Sequence, residues 1–122
     1  MTEESATVAL RHREQVAIID VRGDVTPAAE DALTGAHTRC QDAQAVILNF
    51  SGLKYMNSGG IGLLVTMLVR AQRNDQRLLA YGLSPHYRQI FSLTRLDDAI
   101  GLFDNEDDAL QAAGVEGNGA RS

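Results

Sequence analysis

Two short stretches, Val16-Ala17-Ile18-Ile19 and Ala45-Val46-Ile47-Leu48-Asn49-Phe50, are apolar with almost no alternation and rich in β-branched residues. A strand with one wet face alternates, so runs of this kind belong to strands buried on both faces. Helix signals follow them. Thr26-Pro27 joins a capping hydroxyl to a proline suited to the first helical position, and Ala29, Ala32, Leu33, Ala36 and Cys40 recur beyond it at helical spacing. Past a loop over 51–57, a second helix is expected from about Gly59 to Arg73. Ser84-Pro85 repeats the Thr26-Pro27 device.

Weaker signals fill in the rest. Thr7 to Arg11 reads as an edge strand that turns at Arg13-Glu14-Gln15 into the first apolar run, which Gly23-Asp24 ends. Arg77 to Tyr81 and Ile100 to Phe103 read as short strands. Asn105, with Asp108 three residues on, caps a last helix that Gly114 stops. The order β-β-α-β-α-β-α-β-α predicts an α/β fold. Its sheet is mixed and mainly parallel, with an antiparallel edge hairpin and four helices. One domain is expected over 1–115, with 116–122 as a disordered tail. The expected core includes Val16, Ile18, Val46, Leu48, Ile61, Leu64, Val65, Leu68, Leu79, Ile90 and Phe91.

At 122 residues and 44% hydrophobic content, such a domain folds without metals or disulfides. The single cysteine, Cys40, suits a reducing compartment. Met1 to Ser5 has no secretory character, and the longest apolar stretch, near Ile61 to Val69, is too short to span a bilayer. A soluble, cytoplasmic protein without membrane insertion is expected. The net charge of −5 and the scattered basic residues argue against nucleic acid as a partner. The acidic cluster from Asp97 to Asp108 reads as a solvated face plus a helix start.

Catalytic chemistry is not expected, and neither is a cofactor. His12, His37 and His86 lie in unrelated segments without a second metal-type ligand at useful spacing, which argues against a metal site. Cys40 closes an apolar stripe and reads as core. Asp20, the one acid in an apolar strand, reads as a hydrogen-bonded residue near the sheet edge.

The informative segment is Met56-Asn57-Ser58-Gly59-Gly60-Ile61-Gly62, between a buried strand and a helix. Ser58 is expected at the N-cap, with Gly59 and Gly60 leaving the first backbone N–H groups sterically open. Free N–H groups and the positive end of the helix dipole tolerate an anion. Ser58 is therefore either a plain cap or a phosphoacceptor. The segment lacks the Lys-Ser/Thr ending of a P-loop and the glycine of a nucleophile elbow. Helical spacing predicts that Ile61, Leu64, Val65 and Leu68 meet the sheet. Leu63, Thr66, Met67 and Arg70 then fall on the outer side as a docking surface.

The chain resembles STAS domains, above all the bacterial anti-sigma factor antagonists. The resemblance rests on 46–50 (Val-Ile-Leu-Asn-Phe), Leu53-Lys54-Tyr55-Met56, the Asn57-to-Gly62 turn, Leu83-Ser84-Pro85, Ile90-Phe91 and Gly23-Asp24-Val25. It implies a phosphoacceptor at Ser58. It also implies a partner that is an anti-sigma factor, itself a serine kinase of the anti-sigma type. Asn57 and Gly59 stand where the common pattern has Asp and Ser or Thr, and Thr26 where an acid is frequent. The resulting expectation is a non-enzymatic, partner-binding switch using Asn57, Gly59, Gly60, Gly62, Leu63, Thr66, Met67 and Arg70. Two alternatives stay open: an unphosphorylated adaptor or lipid-transporter subunit, and a nucleotide or anion binder at the Ser58–Gly62 turn.

Overall fold

The computed structural model describes residues 5–115, so the expected tail over 116–122 lies outside the described residues. The elements are β1 (Thr7–Arg13), β2 (Val16–Val25), α1 (Glu30–Thr38), β3 (Ala45–Met56), α2 (Ser58–Arg73), β4 (Arg77–Tyr81), α3 (Pro85–Leu93), β5 (Gly101–Phe103) and α4 (Glu106–Ala112). Short 3₁₀ turns precede α1 and β5. The sheet runs in chain order, β1-β2-β3-β4-β5, with β1 antiparallel to β2 and every later pair parallel. This is the expected mixed α/β sheet.

Two caps act as anticipated: Ser84 Oγ accepts from the Tyr87 N–H and Asn105 Oδ1 from the Asp108 N–H. Thr26 Oγ1 accepts from the Ala28 N–H, but it caps the 3₁₀ turn Pro27–Ala29 that leads into α1, whose own N-cap, Ala29, makes no side-chain bond. Two strand ends differ. β2 does not stop at Gly23-Asp24, and β3 runs on through the expected loop to Met56. Each extension supplies the other's hydrogen-bonding partner: Gly23 pairs with Leu53, Asp24 with Tyr55 and Val25 with Met56. The sequence hides this because Gly, Ser and Lys interrupt the apolar pattern there.

Strands laid down in one direction, joined by right-handed crossovers, put their connecting helices on the same side. Accordingly Leu33 of α1, Leu64 and Met67 of α2 and Phe91 of α3 share one core with Ala17, Ile19, Val21, Val46, Leu48 and Phe50. Phe50 and Phe91 meet edge to face, with ring centroids 6.5 Å apart. The other face carries Val16, Ile18, Ala45, Ile47, Leu79 and Tyr81, covered by Ala109 and Leu110 of α4 and by Val115. Both apolar runs are thus buried on two sides, although the second cover is a single short helix.

Candidate functional site

The start of α2 sits where the carboxyl ends of β2 and β3 meet. Asn57 is extended (φ −103°, ψ −176°), and its Oδ1 accepts from the Gly60 N–H at 2.9 Å. Asn57 is therefore the N-cap and Ser58 the first residue of the helix, so the helix starts one residue earlier than expected. The reason lies in the two glycines. A Cβ on Gly60 would stand 2.1 Å from the Val25 carbonyl oxygen, and one on Gly59 would stand 2.5 Å from Pro27 Cγ. These glycines seat the helix start against the end of β2 and the following proline, and do not serve to leave the N–H groups open. The Asn57 N–H donates to the Val25 carbonyl (3.3 Å) and the Met56 N–H to Tyr87 Oη (3.0 Å), so β2 and α3 brace the approach.

Ser58 itself is exposed, and its hydroxyl makes no hydrogen bond among the described residues. The N–H groups of Ser58 and Gly59 have no intrahelical acceptor, as in the first turn of any helix. Any anion carried on the Ser58 oxygen lies beside those groups and the positive end of a 16-residue helix.

The faces of α2 differ from expectation. Gly60, Leu64, Met67 and Ala71 are buried, Ile61, Leu63 and Leu68 are half-buried, and Val65 is 42% exposed. The expected docking residue Met67 is thus core, and the expected core residue Val65 is surface. The helix is turned by roughly 80° from the face that apolar spacing chose, at about 100° per residue. Gly60 and Ala71 explain the rotation. They carry little hydrophobic weight, yet Gly60 lets the helix start close on the Val25 carbonyl, and Ala71 is fully buried at the other end. Leu63, Thr66, Met67 and Arg70 line a crease against Glu30, Leu33 and Thr34 of α1. Arg70 Nη2 donates to Thr38 Oγ1 at 2.9 Å. The outward stripe is instead Ser58, Gly62, Val65, Thr66 and Val69. Of the remaining expected core, Ile61, Leu68 and Ile90 lie half-buried and the others are buried.

A second polar constellation crosses the α4 face. Arg11 Nε and Nη2 donate to Asp20 (2.8 and 2.7 Å) and Nη1 and Nη2 to Glu106 (3.1 and 2.8 Å). Asn49 Nδ2 donates to Asp20 (2.8 Å) and Tyr81 Oη to Glu106 (2.5 Å). Arg11 holds the Asp20 and Glu106 carboxyls below their usual range, while burial and then Glu106 push Tyr81 up to about 12. Asp20 thus has partners, as expected, but within a ladder that joins four strands and α4. A signal for it exists in the sequence. Asp20 and Asn49 each follow four apolar residues, and the register sets them side by side with Tyr81.

Cys40 is buried as expected, and burial pushes its thiol up. Among the described residues there is no cluster of His, Cys, Asp or Glu that could hold a metal ion. Nor is any helix long and apolar enough to cross a membrane.

Known proteins are similar in sequence or in fold. An anti-sigma-B factor antagonist of Staphylococcus aureus is 32% identical over 74 residues, which are 61% of this chain and 67% of the relative. An anti-sigma factor antagonist from Mycobacterium paratuberculosis superposes with a TM-score of 0.75, at 23% identity, over 89% of this chain and 94% of that one. The Bacillus cell fate determinant SpoIIAA in its phosphorylated form superposes at 0.69, at 19% identity, over 87% and 98%. The sequence profile of the STAS domain matches residues 7–109, and the chain belongs to the STAS domain family.

Proposed function

We propose that this STAS domain is a cytoplasmic, non-enzymatic antagonist of an anti-sigma factor, switched by phosphorylation of Ser58. The observation that carries the reading is the exposed, unbonded Ser58 hydroxyl on the first turn of α2, beside N–H groups without intrahelical acceptors. It is supported by relatives named anti-sigma-B factor antagonists and by a structural neighbour described in a phosphorylated form. The partner is an anti-sigma factor that is also a serine kinase. It docks on Asn57, Ser58, Gly59, Gly62 and Thr66, with Val65 and Val69 continuing the surface. Gly60, Leu63, Met67 and Arg70 act by fixing the helix and its crease with α1. Phosphate adds about −1.5 to −2 charges at the centre of this surface, which the fold tolerates and an apolar partner resists.

Ser58→Asp folds normally and binds the anti-sigma partner at least roughly tenfold more weakly, about 1.4 kcal/mol, by calorimetric titration. Ser58→Ala binds like the wild type and keeps its stability, because Asn57 provides the cap. Intact-mass measurement of protein from its native cells finds one added phosphate. Full binding by Ser58→Asp, with no phosphate under any growth condition, would make the domain a constitutive adaptor.

A further inference from the structure

We propose that an open groove on the α4 side of the sheet, beyond the reach of α4, binds a small organic oxyanion through Arg22. Three independent features support this site, and none involves Ser58.

The first is position and size. One short helix covers the second face only as far as the Asp20–Asn49–Tyr81 row. Beyond that row, at the carboxyl ends of β2 and β3, lies a groove of about 660 Å³ lined by Thr7, Asp20, Arg22, Asn49, Ser51 and Lys54, among others. Small-molecule sites run from about 300 to 1,000 Å³, and the carboxyl ends of parallel strands are where open α/β sheets place them.

The second is the strand geometry. β3 carries one residue more than β2 between the pairs Asp20–Asn49 and Arg22–Gly52, and another between Gly23–Leu53 and Asp24–Tyr55. The two irregularities interrupt the regular pairing of β2 and β3 where Ser51, Gly52 and Lys54 line the groove, and bulges bend and twist a sheet locally in this way.

The third is which groups remain to be satisfied. Both Asp20 oxygens are taken by Arg11 and Asn49, and Asn49 Oδ1 accepts from the Ser51 N–H at 2.9 Å. The floor is therefore saturated. Arg22, by contrast, is exposed and makes no hydrogen bond or ion pair among the described residues. Its stem lies over Gly52, where a Cβ would stand 2.7 Å from Arg22 Cγ. Thr7 and Ser51 line the same groove. Arg11 is shared between Asp20 and Glu106, so that cluster keeps one negative charge, which Arg22 offsets in part through space. A guanidinium fork left without a hydrogen bond at the groove suits a carboxylate or phosphate.

The test is an amide-resonance titration of the ¹⁵N-labelled full chain with pyrophosphate and, separately, citrate, against sodium chloride at matched ionic strength. The expected result is saturable shifts at Arg22, Ser51 and Gly52 with at least one oxyanion. A response to pyrophosphate alone assigns a phosphate ligand, and one to citrate alone a carboxylate. Arg22→Gln weakens the response at least tenfold and Ser51→Ala weakens it less, both with unchanged melting temperature. Ser58→Asp leaves it intact, which separates this site from the switch. Shifts that fail to saturate, that chloride reproduces, or that Arg22→Gln leaves unchanged would overturn the proposal.

Discussion

On the side of the sheet covered by α1, α2 and α3, buried side chains from β2, β3, β4 and the three helices close into one apolar core, with Ile19, Val21, Leu48, Leu64 and Phe91 fully buried. On the other side, α4 offers only seven residues, and the row where its cover ends is occupied by Asp20, Asn49 and Tyr81. The first side encloses one buried polar cluster. His37 Nε2 lies 2.7 Å from Gln76 Oε1, while Gln76 Nε2 donates to the Cys40 and Ala43 carbonyls at 2.8 and 3.0 Å. Because the amide nitrogen of Gln76 does the donating there, its oxygen accepts, and His37 carries its proton on Nε2. The second side solves its polar problem at the surface, with Arg11 shared between two carboxylates. On the closed face the pairing is specific but incomplete, since His37 Nδ1 is buried without a hydrogen-bond partner among the described residues, whereas the open face leaves its charges to water and salt.

The largest expected effect lies on the closed face. Leu64→Ala removes a fully buried side chain between α2 and the sheet and costs about 2–5 kcal/mol in denaturant unfolding. A loss below about half a kcal/mol would show that the two faces are equally tolerant and that the contrast is empty.

Much of this contrast is legible in the sequence. The continuous runs 16–19 and 45–48 require cover on both sides, and the capping pairs at Ser84 and Asn105 set their helix starts. The rotation of α2 is not legible, because it is set by a glycine. Gly60 chooses the buried face through its approach to the Val25 carbonyl, a long-range contact that hydrophobic spacing does not register. The same contact moves the cap from Ser58 to Asn57. It thereby changes Ser58 from a residue that satisfies the helix end to one whose hydroxyl is unengaged.

Acid separates the faces next. Burial, with Arg70 nearby, holds His37 below its ordinary value of 6.5, so the folded chain refuses a proton that the unfolded chain accepts. Stability is full above about pH 6.5 and declines as pH falls below it. Asp20 and Glu106, held below 3.8 and 4.5 by Arg11, contribute stability that is lost only at lower pH. Denaturant midpoints at pH 7.5, 5.5 and 3.5 read the two windows separately. His37→Gln flattens the step between 7.5 and 5.5 and leaves the acid limb in place. An undiminished step in that variant would remove the closed face from the pH response.

The open face is expected to yield less. Arg11 and Glu106 side chains are 43% and 28% exposed, so solvent screens much of their attraction. A double-mutant cycle of Arg11→Met and Glu106→Gln gives a coupling of about 0.2–1 kcal/mol, shrinking as salt rises. A larger, salt-insensitive coupling would mean that α4 is held as firmly as the helices opposite.

The smallest effect on stability belongs to the outward stripe of α2, and there the contrast bears on function. Val65 and Val69 are 42% and 41% exposed, although each is followed two residues later by a buried residue on the same helix, Met67 and Ala71. Substitutions at exposed positions outside the core usually change stability by no more than about 0.5 kcal/mol. Val65→Asp and Val69→Asp therefore melt like the wild type. They place a carboxylate about two and about three turns from Ser58, on the surface proposed to meet the partner. Binding by calorimetric titration then falls in the same direction as for Ser58→Asp, and more for Val65, the nearer of the two. Met67→Asp supplies the opposite pattern, because a carboxylate at a side chain only 4% exposed is desolvated without a partner and unfolds the helix packing. Destabilisation by Val65→Asp equal to that of Met67→Asp would restore the face that apolar spacing first suggested. A stable Val65→Asp with undiminished binding would confine the contact surface to the first turn around Ser58.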